Sequence, residues 1–220
     1  MKTLLFHIIT ISILSTSFCW SQESFEGIIT YKIELTFKKK NVEHKDYIAQ
    51  KFGDTLQVFY NKKGDVHKKY LGSGARGYDF HTYIASTNNY YAKWKNLDTL
   101  YYYNVQENVL KFVSRESGIS DPIFNKLANY ITIKGYEPLG DEMVTQKFYY
   151  TGFPYINPEL FKNFKEFFSY DFLKTTKSPF LKKVLDLKTF IVTFTAIKVE
   201  RKFLSPKLFK LPPNIPRKKS

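Results

Sequence analysis

Hydrophobic and polar residues alternate along most of this chain, which is the pattern of half-buried β-strands. The first and clearest alternation runs from Phe25 to Lys38, with apolar side chains on one face and charged or hydroxyl side chains on the other. Similar stretches predict further strands at 56–60, 66–71, 78–85, 90–95, 99–105, 109–114, 131–133, 143–151, 180–188 and 189–203. Short polar turns separate most of them, so we predict a meander with hairpins, one of which joins 99–105 to 109–114, and we expect 180–188 to pair with 189–203.

The last predicted strand, 189–203, changes its alternation part-way. Its first apolar residues share one parity, whereas Ile197 and Val199 follow the other. One extra residue in one strand of a pair produces such a shift, so we predict a β-bulge. After this strand, Ser205-Pro206 predicts one helical turn, and Leu211-Pro212-Pro213 predicts the end of regular pairing because proline cannot donate to a ladder.

Helical periodicity appears in the stretch 157–168. Asn157 can cap the first backbone donors, and Pro158 suits the first helical position. The apolar residues that follow have the spacing of one helical face and are Leu160, Phe161, Phe164, Phe167 and Phe168. We therefore predict a helix over 157–168, and a second, shorter helix over 121–130 after Asp121-Pro122.

Together these elements predict a mainly β (α+β) fold. We expect a strongly curved antiparallel sheet, or half-barrel, of about ten strands with one or two helices on its concave side. Residues 22–220 show neither an internal repeat nor a linker, and their number suits one domain.

The first 21 residues have the pattern of a signal peptide. Lys2 precedes an apolar run from Leu4 to Leu14, and Cys19-Trp20-Ser21 suits cleavage before Gln22. We expect an exported protein, periplasmic or extracellular, that is not an integral membrane protein. An uncleaved anchor and a lipidated Cys19 remain the alternatives.

Composition limits the possible chemistry. Cys19 is the sole cysteine, so cleavage of the signal peptide would leave no disulfide or thiolate. The net charge is +14, with lysines spread in short clusters along the chain. A basic surface attracts anionic lipids or polymers, but A/T-rich codon usage also explains abundant lysine, and no motif indicates specific nucleic-acid binding.

Three segments together resemble a known superfamily: Phe25-Glu26-Gly27-Ile28-Ile29-Thr30-Tyr31-Lys32-Ile33, the stretch from Tyr149-Tyr150 to Asn163, and Phe209-Lys210-Leu211-Pro212. They are similar to uncharacterised secreted bacterial proteins related to the lipoprotein-carrier (LolA-like) half-barrel. The resemblance implies a curved antiparallel sheet around helices, with a hydrophobic cavity between them. Such carriers usually have a helix near the mature N-terminus, where this chain enters a strand directly.

Candidate catalytic groups are few. Asp65-Val66-His67 and Asp79-Phe80-His81 place an acid and an imidazole on one strand face, yet such spacing is common and a zinc site needs three or four ligands. We expect these to be solvated strand faces. The glycine-rich stretch 72–77 lacks the ending of a phosphate loop and is expected to be a mobile turn. We therefore expect no enzymatic activity, no catalytic residue, no metal and no cofactor.

Our leading functional hypothesis is a non-enzymatic protein that binds an apolar or amphipathic, lipid-like ligand between the sheet and the 157–168 segment. The residues expected to line the cavity are Ile29, Tyr31, Ile33, Trp94, Phe161, Phe164 and Phe168. The alternative is a basic envelope module whose outer surface binds a partner protein or an acidic polymer. The aromatic segments 90–94, 101–103 and 148–150 have two interpretations: a surface for acyl chains or rings, and ordinary cross-strand aromatic pairing within the sheet.

Overall fold

The computed structural model describes residues 23–220, so the predicted signal peptide, its cleavage site and Cys19 lie outside the described residues. The strands are β1 (Gly27–Phe37), β2 (Thr55–Tyr60), β3 (Val66–Leu71), β4 (Tyr78–Ile84), β5 (Asn89–Trp94), β6 (Leu100–Asn104), β7 (Lys111–Ile123), β8 (Lys126–Glu137), β9 (Glu142–Tyr150), β10 (Lys182–Asp186), β11 (Phe190–Arg201) and β12 (Arg217–Lys219). The helices are α1 (Lys45–Phe52) and α2 (Ser169–Thr176), and 3₁₀ turns cover Pro158–Phe161, Glu166–Phe168 and Pro206–Phe209. The fold is mainly β, as predicted.

All described strands belong to one 12-stranded sheet with the order β12-β6-β5-β4-β3-β2-β1-β11-β10-β9-β8-β7. Neighbouring strands are antiparallel except β12 and β6, which are parallel, so the sheet is mixed and the expectation of a purely antiparallel sheet was wrong. Strand pairing stops at Arg201 of β11 and resumes at β12, so regular pairing does not end at Leu211-Pro212-Pro213 as expected. The chain then returns along the edge of β6, where the Leu100 amide donates to the Pro216 carbonyl at 2.8 Å.

The predicted β-bulge in the last strand is confirmed. Thr30 of β1 lies opposite Lys198, whereas its neighbour Tyr31 lies opposite Ala196. Ile197 is the extra residue, and it is 56% exposed because the bulge turns it away from the core. The predicted pairing of the last two long strands, β10 with β11, is confirmed as well.

The predicted hairpin between 99–105 and 109–114 was wrong. β6 and β7 lie near opposite ends of the sheet order and do not pair. The polar residues between them make other bonds: the Asn108 side-chain oxygen accepts from the Leu110 amide at 3.2 Å and from the Phe167 amide at 3.1 Å. Alternation indicates which residues share a face, but it contains no information about the neighbouring strand.

The predicted helix over 121–130 was also wrong. This stretch is the tip of the β7–β8 hairpin, where Phe124 and Asn125 both adopt positive φ values of 49° and 58°. Two consecutive residues with positive φ form the kind of tight turn that matches strand twist, and glycine usually supplies it. Because no glycine is present at this turn, the sequence pattern did not indicate it.

The predicted continuous helix over 157–168 was wrong too. Asn157 does cap the segment, accepting a hydrogen bond from the Glu159 amide at 3.1 Å. Only 3₁₀ turns follow, however, and Phe167 and Phe168 adopt positive φ before α2 begins at Ser169. The phenylalanines pack at separate places on the sheet: Phe164 stacks on Tyr83 of β4, whereas Phe168 packs against Phe112 of β7.

Helix α1 was not predicted from the sequence. It has no fully buried residue, and its polar composition hides any amphipathic pattern. It is attached through Phe52, whose ring centroid lies 5.9 Å from that of Tyr78 and 6.4 Å from that of Phe194.

Within residues 23–220, no helix combines the length and the apolar character needed to cross a bilayer.

Two hydrophobic clusters cover the two faces of the sheet. The larger one contains inward-facing residues of β1, β2 and β9, such as Tyr31, Val58 and Phe148, together with Phe161, Phe164 and Phe172. The smaller one lies on the other face and consists of Ile28, Phe59, Leu204 and Phe209, with Leu208 beside it. The predicted helical turn after Ser205 is confirmed. It places Phe209 in this second cluster.

Candidate ligand cavity

A cavity of about 130 Å³ lies between the sheet face that carries the larger cluster, here called the inner face, and the connection from β9 to β10 (residues 151–181). This connection contains α2 and the 3₁₀ turns Pro158–Phe161 and Glu166–Phe168. Its walls are mostly apolar: Leu56, Val58 and Val66 belong to β2 and β3, whereas Phe161, Phe164 and Phe172 come from the connection. An apolar cavity of about 150 Å³ is known to accept benzene, so the space here suits a small ring or a short hydrocarbon segment.

Two lysines, Lys68 of β3 and Lys183 of β10, interrupt this apolar lining. Both side chains are half-buried. The Lys68 ammonium donates to the Tyr90 hydroxyl at 3.3 Å, whereas the Lys183 ammonium lies 4.9 Å from the centre of the Phe148 ring. Burial, together with the charge of Lys68, lowers the pKa of Lys183 to about 7.

One acidic side chain, Glu166, lies near these lysines and is buried. It accepts a hydrogen bond from the Tyr103 hydroxyl, and the electrostatic influence of Lys68 and Lys183 reaches it. Burial raises the pKa of Glu166, although the Tyr103 hydrogen bond and the two lysines act in the opposite direction. Neither lysine forms a salt bridge within residues 23–220.

A buried histidine lies beside Lys68. The Nδ1 atom of His81 is 2.9 Å from the Tyr90 hydroxyl and 3.1 Å from the Tyr70 hydroxyl, while no described polar group meets its Nε2 atom. Burial and the neighbouring Lys68 charge lower the pKa of His81 well below its ordinary value. The imidazole is therefore neutral near pH 7 and belongs to a hydrogen-bonded group of Lys68, Tyr70, Tyr90 and His81.

The seven residues predicted to line the cavity occupy different places. Phe161 and Phe164 line it. Ile29, Tyr31, Ile33 and Phe168 are buried in the same hydrophobic cluster but do not form the cavity wall. Ligand contact by any of the seven stays a prediction.

Trp94 lies in a separate and more open depression with Tyr47, Arg76 and Tyr101. Its ring packs 5.3 Å from Tyr78 and 5.6 Å from Tyr101. Fluorescence of Trp94 is therefore a poor reporter of ligand in the cavity.

The two Asp-x-His pairs do not form one site. Asp65 accepts from the Ala85 amide at 2.9 Å and holds a turn. His67 lies between the rings of Phe59 and Phe80 on the outer face, whereas His81 points to the inner face. The expectation of solvated faces was wrong for His81, which is buried, whereas His67 is half-buried between its aromatic neighbours.

The glycine-rich stretch 72–77 is packed closely against α1, and its expected mobility stays a prediction. A Cβ at Gly77 would lie 2.3 Å from the Gln50 carbonyl oxygen, and one at Gly74 would meet the Gln50 side chain at 2.7 Å. The glycines therefore allow close approach of two backbone segments.

Within residues 23–220 no group of three or more histidines and acids could hold a metal ion.

The sequence interpretation missed Lys68, Lys183 and Glu166. The sequence does indicate that both lysines face inward, because each stands at a position where the alternation calls for an apolar residue. The two patterns are Val66-x-Lys68-x-Tyr70 and Leu181-x-Lys183-x-Leu185. A lysine at an inward position breaks the alternation of a half-buried strand, and such exceptions concentrate at functional sites. Glu166 gave no such signal, because the predicted helix placed it on the polar side.

Comparison of the chain with known protein families and with curated proteins finds no match in either.

Proposed function

We propose that this is an exported, non-enzymatic protein that binds an apolar or amphipathic ligand in the cavity between the sheet and the 157–168 segment. The proposal includes a half-barrel similar to the lipoprotein-carrier superfamily, formed by residues 22–220 as one domain. The observation that supports it best is the apolar cavity itself, whose lining includes Phe161 and Phe164.

Chain connectivity supports a strongly curved sheet. A flat sheet of 12 strands would be about 50 Å wide, at about 4.8 Å between neighbouring strands. The link from Asn104 of β6 to Lys111 of β7 can span at most about 25 Å. Because this link joins strands near opposite ends of the sheet, it supports a sheet whose ends curl towards each other. The cavity and α2 then lie on the concave side.

The size of the cavity limits the ligand. A volume of about 130 Å³ accepts a few methylene groups, so a longer tail must either extend to solvent or displace a side chain. Each methylene that becomes buried contributes about 0.8 kcal/mol, so even a short hydrocarbon segment gives measurable binding.

A cavity-filling variant tests this proposal. Val66 lines the cavity, and Val66→Phe would occupy its space. Val184→Phe is the matched control, because Val184 neighbours the inward-facing Lys183 on β10 and points to the other face. Isothermal titration calorimetry with 1-octanol should give saturable binding to the wild-type protein and the control, and at least about tenfold weaker binding to Val66→Phe.

The result that would overturn the proposal is a lack of saturable binding by the wild-type protein, or equal binding by Val66→Phe. Native mass spectrometry of the protein purified without detergent gives an independent readout, since a bound lipid would appear as a discrete added mass.

The alternative, a module that binds a partner protein through its outer surface, is supported by the exposed edge of the sheet. β7 is 13 residues long, and no described strand pairs with its outer side. Its exposed apolar residues include Phe112, Val113 and Ile119, with exposures of 61%, 50% and 71%. A free edge of this kind accepts an added strand from a partner.

Co-sedimentation with the envelope fraction of expressing cells tests this alternative. Ile119→Lys should abolish it, whereas Phe203→Lys, which changes another exposed apolar residue, should not. Equal behaviour of the two variants would remove the support for binding at the β7 edge.

A further inference from the structure

The cavity brings together two ammonium groups from strands that are not neighbours. Lys68 lies on β3 and Lys183 on β10, with β2, β1 and β11 between them in the sheet. Both line the same cavity of about 130 Å³, opposite the apolar residues of the connection. The cavity is therefore amphipathic, with two cationic groups set into a hydrocarbon lining.

The charges around the cavity do not balance. Lys68 and Lys183 provide two positive charges, and Glu166 is the one acid whose electrostatic influence reaches both. Glu166 is engaged with the Tyr103 hydroxyl and lies beyond salt-bridge distance from either lysine. One positive charge remains uncompensated when all three groups are ionised, and an uncompensated charge in such an environment is costly.

Hydrogen bonds do not satisfy the ammonium groups either. Lys68 donates to the Tyr90 hydroxyl, and no described hydrogen bond engages the Lys183 ammonium, which lies against the rings of Phe148 and Phe167. An ammonium has three donors, so unused donors remain on both lysines. An acceptor with negative charge placed in the cavity would use them.

We propose that the ligand of this cavity is an amphiphile with a single carboxylate, held by Lys68 and Lys183, with its hydrocarbon part against the apolar walls. This inference rests on the proposed function and names the class of ligand. A carboxylate has the one negative charge that the site lacks and two oxygens that can accept from two donors. A doubly charged phosphate monoester would exceed the missing charge.

Three eight-carbon ligands with the same tail and different head groups distinguish the contribution of the head group to binding from that of the tail. They are octanoate, 1-octanol and octylammonium. Calorimetric titration at pH 6 keeps the carboxylate ionised, because ordinary carboxyl pKa values lie near 4. For the wild-type protein we expect octanoate to bind at least about tenfold more tightly than 1-octanol, as charged hydrogen bonds allow, and octylammonium to bind weakest.

The variants Lys68→Met, Lys183→Met and their combination should reduce this preference, and the double variant should bind octanoate and 1-octanol within about twofold of each other. Lys69→Met and Lys182→Met are matched controls, since each is the neighbour on the same strand that faces away from the cavity. They should keep the wild-type preference. Thermal unfolding checks that each variant is folded.

Equal binding of octanoate and 1-octanol to the wild-type protein would overturn the carboxylate assignment and leave the proposed function intact. A preference for octanoate that survives in the double variant would also overturn it. If none of the three ligands binds, both the assignment and the proposed function fail. Because the head-group series on the wild-type protein is informative by itself, a variant that fails to fold does not remove the test.

Discussion

The Tyr103 hydroxyl donates a hydrogen bond to the Glu166 carboxylate and so joins an end region of the sheet to the connection that covers the cavity. Tyr103 lies on β6, and Glu166 lies in the 3₁₀ turn that precedes α2. The Lys165 amide also donates to the Val105 carbonyl at 2.9 Å, so two bonds hold the turn at this place. We expect this junction to contribute to both stability and cavity shape.

Tyr103→Phe removes the hydroxyl and leaves a buried carboxylate oxygen without its donor. We expect the free energy of unfolding at pH 7 to fall by about 1–3 kcal/mol, the usual cost of an unsatisfied buried group. Tyr102→Phe is the control, because the Tyr102 ring packs against Tyr91 rather than in the Tyr103–Glu166 junction. Urea unfolding measures both. An equal loss in the two variants would contradict a specific role for the Tyr103–Glu166 bond.

Glu166 should make stability depend on pH. Because burial raises its pKa in the folded protein, the folded state holds the proton more tightly than the unfolded chain does. The stabilisation from this group is fully present below the ordinary pKa of 4.5 and is lost as the pH rises through the folded pKa. Urea unfolding between pH 4 and pH 8 should show that the stability of Glu166→Gln relative to the wild-type protein increases with pH, because the variant lacks this loss while the histidine contributions are common to both. A stability difference that does not change with pH would contradict the raised pKa.

Lys183 should give a pH dependence of the opposite sign. Its folded pKa of about 7 lies below the ordinary value of 10.5, so the unfolded chain binds more protons between these values. Stability from this group therefore rises as the pH increases from 7 to 10.5. The charged groups that influence the pKa of Lys183 are Lys68 on β3, which lowers it, and Glu166 on the connection, which raises it.

Lys183→Met should remove this rise and stabilise the protein at pH 6. We expect the free energy of unfolding at pH 6 to rise by at least about 1 kcal/mol. This gain is well below the value that the difference between the folded and ordinary pKa would give alone, because the half-buried side chain is partly screened by solvent. Lys182→Met, on the outer face, should change stability by less than about 0.5 kcal/mol. Urea unfolding at pH 6 and pH 10 measures the difference. Destabilisation by Lys183→Met at pH 6 would show that Lys183 is not an uncompensated charge.

Phe164 should be a main anchor of the connection. Its ring stacks on Tyr83 with a centroid distance of 4.5 Å and an interplanar angle of 17°, and it is also stacked 6.0 Å from Tyr90. Phe164→Ala should lower the free energy of unfolding by about 3–5 kcal/mol. Phe203→Ala should have little effect, since Phe203 is 80% exposed. Chemical denaturation distinguishes the two, and a small effect of Phe164→Ala would mean that the connection is held elsewhere.

Gly135 should tolerate no side chain. A Cβ there would lie 2.9 Å from the Phe168 ring and 3.0 Å from the Leu110 Cβ, where β8 meets both the β6–β7 link and the connection. Gly135→Ala should cost about 1–3 kcal/mol through overpacking. Lys134→Ala, at the exposed neighbouring position, is the control. A neutral effect of Gly135→Ala would mean that Phe168 moves freely at this contact.

The sequence by itself determined the local features of this protein. Alternation placed β1 and the hairpin strands, the parity change at Ile197 located the bulge, and Asn157 and Ser205 identified the starts of two turns. These features depend on residues that are close together in the chain. Strand period and capping act over a few residues, so they can be predicted without knowledge of the fold.

Only the tertiary structure decided which strands are neighbours and what lies on the inner face. Lys68 and Lys183 occupy the inward parity of their strands, which the sequence interpretation overlooked, and pairings between distant strands place both side chains in the lining of one cavity. The same long-range packing replaced the expected 157–168 helix with separate turns, because Phe164 and Phe168 contact different parts of the sheet. Such contacts join residues far apart in sequence, and local propensity gives way when tertiary packing stabilises a different conformation.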